Sequence, residues 1–165
     1  MEYSPKKAKE LLNQHDFKFK KRFGQNFIVD KNTIDAIVNK SNIDKNTLVI
    51  EIGPGSGALT NKLASISKNV LCYEIDDTLK DILEKTLSEH DNINIIYDDF
   101  LKRDVLNDIK DYKYEKLYVV ANLPYYVTTP IIIKLIEAQI NVDKIVVMVQ
   151  KEVGNRFRAK PWTRD

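Results

Sequence analysis

Short hydrophobic runs rich in β-branched residues alternate along the chain with segments in which apolar residues recur every three or four positions. The runs predict five β-strands, at residues 48–52, 70–74, 93–97, 117–121 and 144–149. The periodic segments between them predict helices near residues 33–40, 58–67, 78–89 and 130–139. Alternating strands and helices are typical of parallel βαβ units with right-handed crossovers, whose strands are covered on both faces. The pattern therefore predicts an α/β fold of the doubly wound type.

Polar residues mark the start of two predicted helices. Asp76 or Asp77 can cap the helix at 78–89, since a carboxylate accepts hydrogen bonds from the first backbone N–H groups. Thr129 and Pro130 match an N-cap followed by the first helical residue, so we expect the last predicted helix to begin there.

The composition is typical of one globular domain. The chain has 165 residues, of which 43% are hydrophobic and 30% charged, so it can bury a core and is too apolar for a disordered chain. Its apolar runs, such as those at 131–133 and 145–149, fall far short of the roughly 20 residues that span a bilayer. Cys72 has no cysteine partner, and with only His15 and His90 beside it no zinc cluster is expected. We therefore expect a cytoplasmic protein without a metal site or a membrane span.

Charge is distributed unevenly along the chain. The net charge of +2 divides into +4 over residues 1–22, −5 over residues 23–150 and +3 over residues 151–165. Basic ends on an acidic body favour a polyanionic partner. Solvated terminal charges without a partner explain the same distribution equally well.

Aromatic and basic residues alternate in the segment 17–28, a pattern that suits base stacking and phosphate contact. The predicted RNA-contacting residues are Lys18, Lys20, Lys21 and Arg22. Gln25 and Asn26 can fold over the mouth of a ligand pocket, although an amphipathic arm without a ligand is an equal alternative. We predict a basic arm at residues 1–27 and a ligand-binding domain at residues 28–165.

A glycine-rich turn follows the first predicted strand. Gly53, Gly55 and Gly57 allow a sharp turn and let a ligand approach bare backbone at the start of the next helix. Read as glycines 53 and 55 with Ala58, the turn nearly matches a dinucleotide fingerprint, while the three glycines suit S-adenosylmethionine. Glu74 follows the second strand, where a carboxylate can accept from the ribose hydroxyls of either ligand. The turn alone does not decide between them, and a tight turn without a ligand is the third alternative.

An acidic pair follows the third predicted strand. Asp99 can accept a hydrogen bond from the exocyclic amine of adenine, with Phe100 or Ile75 packed against the ring. The alternative is that Asp98 and Asp99 only cap or solvate a loop.

The segment Asn122-Leu123-Pro124-Tyr125 follows the fourth predicted strand. An Asn oxygen and a nearby backbone carbonyl can together accept the two hydrogens of an aromatic amine, which favours a pyramidal nitrogen with an available lone pair. Pro124 restricts its own backbone and that of Leu123, and Tyr125 offers a flat face for an unstacked base. A strand exit with a plain turn is the alternative.

Four segments together resemble the ribosomal RNA adenine N6-dimethyltransferase family, which includes small-subunit ribosome-biogenesis dimethylases and macrolide-resistance methylases. They are residues 21–27, 51–60, 122–125 and 149–153. The resemblance extends from about residue 20 to residue 161, and Pro54, Leu123 and Pro124 agree best with the biogenesis branch. It implies a Rossmann-like methyltransferase fold, S-adenosylmethionine as the cofactor, and residues 28–165 as the catalytic domain.

The resemblance also implies roles for individual residues. The cofactor would contact Asn26, Ile28, Gly53, Glu74, Asp99 and Asn122. The motifs themselves add Gln25, Gly55, Ile75 and Phe100 to the predicted cofactor-binding residues. The target adenine would be held by Asn122, Leu123, Pro124 and Tyr125. The implied reaction is dimethylation of N6 on two adjacent adenines of small-subunit ribosomal RNA, by a monomer acting on the small subunit.

The family's last two strands and its helical domain have no counterpart in this chain, and Gly154 and Trp162 depart from the family pattern. We therefore expect a C-terminally shortened protein in which cofactor binding survives and RNA methylation is weak or absent. Three alternatives remain: an RNA-binding assembly factor without turnover, an NAD-dependent oxidoreductase, and a methyltransferase acting on DNA adenine or a protein amide.

Overall fold

The computed structural model describes residues 31–148, with the exceptions of Pro124 and the Tyr125 side chain. The helices in this range are α1 Lys31–Lys40, α2 Ala58–Ile66, α3 Lys80–Thr86, α4 Val105–Ile109 and α5 Tyr125–Glu137. The strands are β1 Thr47–Ile52, β2 Asn69–Tyr73, β3 Ile93–Ile96, β4 Lys116–Asn122 and β5 Lys144–Met148. Short 3-10 turns at Asp77–Leu79 and Phe100–Lys102 precede α3 and α4. None of the described helices combines the length and the hydropathy that a membrane crossing requires.

The strands form one parallel sheet in the order β3-β2-β1-β4-β5. β1 lies at the centre, and the strand order reverses between β1 and β4. That reversal is a topological switch point, where a crevice opens beyond the carboxyl ends of the strands. The α/β class and the five predicted parallel strands are confirmed.

The sheet is buried on both faces because helices cover each side. Leu48, Ile50 and Ile52 of β1 point into a core cluster that includes residues of α4 and α5. Val49, on the opposite face, packs in a second cluster with residues of α1 and α2. Since successive side chains of a strand alternate between faces, Glu51 lies on the same face as Val49. This two-sided burial explains why the strands appear in the sequence as continuous hydrophobic runs.

Helix α5 begins at Tyr125, so the prediction that it starts at Pro130 is wrong. Pro130 lies inside the helix, where it has no N–H to donate to the carbonyl of residue 126. Val127, Ile131 and Leu135 are spaced four residues apart and are all buried. Their packing stabilises the helical conformation of the preceding turn and outweighs the local stop signal of the proline.

The segment between β2 and β4 also differs from the prediction. The helix expected at 78–89 is a 3-10 turn followed by α3, and Asp76 caps the turn by accepting from the N–H of Thr78 at 3.0 Å. Helix α4 was not predicted. It has five residues, of which only Val105 and Ile109 are buried, so it is too short to show a helical period in the sequence.

Candidate functional site

A crevice lies at the carboxyl ends of the central strands, where the topological switch point predicts one. Its cavity volume is about 40 Å³. Its walls are formed by Ile52, Gly53, Tyr73, Glu74, Ile75, Asp98, Asp99, Phe100, Leu101, Leu123, Val127 and Ile131. The fold therefore brings together residues from the ends of β1, β2, β3 and β4, which are up to 71 positions apart in the sequence.

The turn from β1 to α2 depends on glycine. Gly53, Gly55 and Gly57 have φ angles of 81°, 59° and 89°, in the left-handed region that side chains disfavour. Gly57 is the N-cap of α2, and a Cβ there would lie 3.2 Å from the Leu83 side chain of α3. The glycines thus set the path of the turn, and Gly57 allows the close approach of α2 and α3.

Glu74 is the most buried of the three carboxylates that line the crevice. It is 1% exposed, and its Oε1 accepts from the Gly55 N–H at 3.2 Å, while its Oε2 accepts from the Asp76 N–H at 2.9 Å. A carboxylate has about four acceptor positions, so these two bonds orient Glu74 and leave capacity for a diol. Burial raises the pKa of Glu74 to about 7, although the two backbone N–H groups oppose the shift.

Asp99 caps the 3-10 turn that follows β3. Its Oδ1 accepts from the Leu101 N–H at 2.9 Å, and Asp98 Oδ1 accepts from the Asp99 N–H at 2.7 Å. The capping role considered in the sequence is therefore present, and Asp99 nevertheless lines the crevice. Both properties are compatible, because one capping bond fixes the carboxylate at the crevice wall.

Phe100 and Ile75 also lie at the crevice wall. The Phe100 side chain is 3% exposed and packs edge-on against Tyr73, with ring centroids 4.9 Å apart. The ring thus belongs to the core as well as to the crevice wall, and its stacking on an adenine remains a prediction.

The strand exit of β4 brings Asn122 and Leu123 to the same edge of the sheet. Asn122 is 4% exposed and Leu123 is 3% exposed, and Leu123 lines the crevice. Tyr125 is the first residue of α5. Pro124, the Tyr125 side chain and the predicted N-terminal site residues lie outside the described part of the chain. These N-terminal site residues are Lys18, Lys20, Lys21, Arg22, Gln25, Asn26 and Ile28.

A buried polar cluster behind the glycine turn was missed from the sequence. Glu51 is 1% exposed, accepts from the Thr60 hydroxyl at 2.5 Å, and lies 3.7 Å from the Cys72 sulfur. Burial raises the pKa of Glu51 to about 7, with a further contribution from the negative charge of Glu74. An acidic residue within an otherwise apolar strand was the available signal. The cluster ties the end of β1 to the first turn of α2.

A second network of polar side chains supports the loop after β3, which carries Asp98 and Asp99. The Arg103 guanidinium donates to both carboxylate oxygens of Asp108, at 3.1 and 2.7 Å, and the Tyr73 hydroxyl donates to Asp108 at 2.9 Å. Arg103 holds the pKa of the Asp108 carboxyl below its usual value. No sequence motif indicates this network, since its members lie on different elements.

A parallel sheet with a switch point, a glycine turn and a buried acid after the second strand are typical of Rossmann-like α/β domains, a class that often binds nucleotide-type ligands. Among the described residues no group of histidine, cysteine and acidic side chains could hold a metal ion. The sequence matches the model of the ribosomal RNA adenine dimethylase family over residues 16–164. The chain therefore belongs to this family, which argues against the oxidoreductase alternative.

Individual relatives agree with the family match. The chain is 51% identical to the ribosomal RNA small subunit methyltransferase A of Macrococcus caseolyticus, covering 99% of this chain and 57% of that protein. Among solved structures, it is similar to the 23S rRNA methyltransferase ErmE, with a TM-score of 0.64 and 30% identity over 81% of this chain and 52% of that one. A dimethyladenosine transferase from Plasmodium falciparum gives a TM-score of 0.62 at 30% identity, covering 79% of this chain and 46% of that one. The chain thus spans little more than half the length of the curated relatives it matches.

Proposed function

We propose that this chain binds S-adenosylmethionine and contributes to the transfer of methyl groups to N6 of adenine in small-subunit ribosomal RNA. The observation that carries the proposal is the convergence of the glycine turn, Glu74, Asp99 and Asn122 at one edge of the sheet. Family membership supports the choice of cofactor and substrate. The full reaction would be dimethylation of two adjacent adenines.

The residues present fit this cofactor. Glu74 is buried and oriented by two backbone N–H groups, as an acceptor for two ribose hydroxyls needs to be. Asp99 is fixed by its capping bond at the wall where an adenine amine would lie. The bare backbone at Gly53 and Gly55 allows close approach of the methionine part. When bound, the cofactor supplies a sulfonium methyl group as the electrophile.

The target base would lie at the exit of β4. Asn122 offers an amide oxygen, and a backbone carbonyl of the adjoining turn offers a second acceptor for the two hydrogens of the adenine amine. These acceptors direct the nitrogen lone pair outward, and the amine loses a proton only after transfer. Catalysis in this scheme is positioning and electrostatic stabilisation. The Leu123-Pro124-Tyr125 segment holds the acceptors and provides a surface for the unstacked base.

We further propose that residues 1–27 act as a basic arm that contacts RNA through Lys18, Lys20, Lys21 and Arg22. Residues 28–165 then form the catalytic domain. A monomer in the cytoplasm, where small ribosomal subunits are assembled, is the proposed working form.

The proposal is tested by transfer of labelled methyl groups from S-adenosylmethionine to small ribosomal subunits that lack the modification. We expect incorporation at adenine N6 by the wild-type chain, abolished in Asn122→Ala and retained in the control Asn94→Ala. Asn94 lies on the exposed side of β3. Equal incorporation by wild type and Asn122→Ala would contradict the assigned role of Asn122.

The second candidate is an RNA-binding assembly factor without turnover. It is supported by the basic segments 1–22 (net charge +4) and 151–165 (net charge +3), which favour binding of a polyanion without requiring methyl transfer. Binding of subunits by the wild-type chain, with no methyl incorporation and no effect of Asn122→Ala, would select this candidate.

A further inference from the structure

Lys134 of helix α5 contacts the loop that follows β3. Its Nζ donates to the carbonyl oxygens of Leu101 at 3.1 Å and Arg103 at 2.7 Å, and it lies 5.8 Å from the centroid of the Phe100 ring. These contacts are partly buried, where an ammonium group forms stronger hydrogen bonds to carbonyls than it does in water. One side chain of α5 therefore contacts three of the four residues at positions 100–103, around the 3-10 turn.

The loop that Lys134 holds is the one that carries Asp99. The backbone bonds of the turn run from the Lys102 N–H to the Asp99 carbonyl at 2.9 Å and from the Arg103 N–H to the Phe100 carbonyl at 3.2 Å. The position of the Asp99 carboxylate thus depends on the turn, and the turn is attached to α5 through Lys134. Arg103 attaches the same loop to α4 through Asp108.

Helix α5 begins directly after the strand exit that contains Asn122. Lys134 lies nine residues after Tyr125, which corresponds to about 14 Å along the helix axis. Helix α5 is continuous over this length, with Pro130 removing one of its backbone hydrogen bonds. A displacement of the loop relative to α5 would therefore also change the distance between Asp99 and the Asn122 segment.

We propose that Lys134 is a positioning residue that sets the adenine-recognising carboxylate of Asp99 relative to the target-base segment at the start of α5. The inference rests on the proposed function, because it assumes that Asp99 recognises the cofactor adenine. Lys134 is not among the residues that line the crevice. It acts through the carbonyls of the loop.

Hydrogen exchange of the ligand-free protein tests whether Lys134 stabilises the loop at residues 101–103. In Lys134→Met we expect the amides of Leu101, Lys102 and Arg103 to exchange at least tenfold faster than in wild type. The amides of β4 should be unchanged, and Lys134→Arg, which keeps a cationic donor, should restore protection. The control is Lys85→Met, an exposed lysine of α3. Exchange in Lys134→Met within twofold of wild type would overturn the inference.

Calorimetric titration tests whether Lys134 positions Asp99 for recognition of the adenine amine. The two ligands are S-adenosylhomocysteine and its deaminated analogue S-inosylhomocysteine. Wild type should prefer the adenosyl ligand, since Asp99 accepts from its amine. We expect Lys134→Met to bind the adenosyl ligand at least fivefold more weakly and to lose most of this preference, with Lys134→Arg within twofold of wild type. A structural defect would weaken both ligands by the same factor, and that result would contradict a positioning role. If wild type bound neither ligand, the proposed function would fail and hydrogen exchange alone would decide on Lys134.

Discussion

Two buried carboxylates, Glu51 and Glu74, flank the glycine turn, and burial determines the pKa of each. Glu51 and Glu74 are each 1% exposed, and the pKa of each is raised to about 7. Desolvation is the largest cause in both, because the charged form loses its hydration. Each group thus changes its charge near neutral pH, with different consequences on the two sides of the turn.

Glu51 should make the protein less stable as the pH rises. Its pKa lies above the ordinary value of 4.5, so between pH 4.5 and 7 the folded state binds more protons than the unfolded state. The free energy of unfolding then falls with rising pH across this window. A shift of this size corresponds to roughly 3 kcal/mol.

Glu51→Gln keeps the size of the side chain and an acceptor for Thr60. We expect this variant to be more stable than wild type at pH 8 and to show a flatter dependence between pH 4.5 and 7, measured by urea unfolding. Glu84→Gln, an exposed residue of α3, serves as the control. A stability difference between wild type and Glu51→Gln that did not change with pH would contradict this explanation.

Glu74 should make cofactor binding depend on pH in the opposite sense. Below pH 7 the raised pKa keeps Glu74 protonated, which removes acceptor capacity needed for the ribose hydroxyls. Affinity for S-adenosylmethionine should therefore increase from pH 6 to pH 8. Glu74→Gln should bind about tenfold more weakly at pH 8, and the ratio between the two proteins should shrink at pH 6. Calorimetry at pH 6 and pH 8 checks this, and a ratio independent of pH would argue against ionised Glu74 as the ribose acceptor.

At the scale of elements, the turn from β1 to α2 is the most constrained part of the crevice. Gly57 combines a φ of 89° with a Cβ position 3.2–3.3 Å from side chains of α3. Gly57→Ala should therefore cost about 2 kcal/mol of stability, or a Tm lower by roughly 5 °C. Ser56→Ala, in the same turn, is the control and should change Tm by less than about 1 °C. An unchanged Tm in Gly57→Ala would mean that the turn tolerates a side chain.

The long strands could be predicted from the sequence because buried parallel strands leave continuous hydrophobic runs. Because the ends of these strands could be predicted, the position of Glu74, Asp99 and Asn122 at one edge of the sheet could be predicted as well. The start of α5 could not be predicted, since the burial of Val127 depends on tertiary packing that a local pattern does not contain. Neither could the contact of Lys134 with the loop at residues 101–103, because its partners are backbone carbonyls that have no sequence signature.

At the scale of the whole molecule, the sheet assembles one crevice from segments that are distant in the sequence. The hydrogen bond between Gly55 and Glu74 joins β1 to β2, and Lys134 joins the loop after β3 to the helix after β4. Each contact fixes one strand end relative to the next. The described residues thus contain most of the proposed cofactor site, whereas the relatives that share this fold extend well beyond the matched region.

The proposed cofactor site requires that the crevice binds S-adenosylmethionine in preference to NAD. Calorimetric titration of the chain with each of the two ligands measures this preference. We expect micromolar or tighter binding of S-adenosylmethionine, no detectable binding of NAD, and loss of binding in Asn26→Ala and Glu74→Ala but not in the exposed control Glu89→Ala. A folded chain that bound NAD in preference, or that bound S-adenosylmethionine equally well after Glu74→Ala, would contradict the proposed cofactor site.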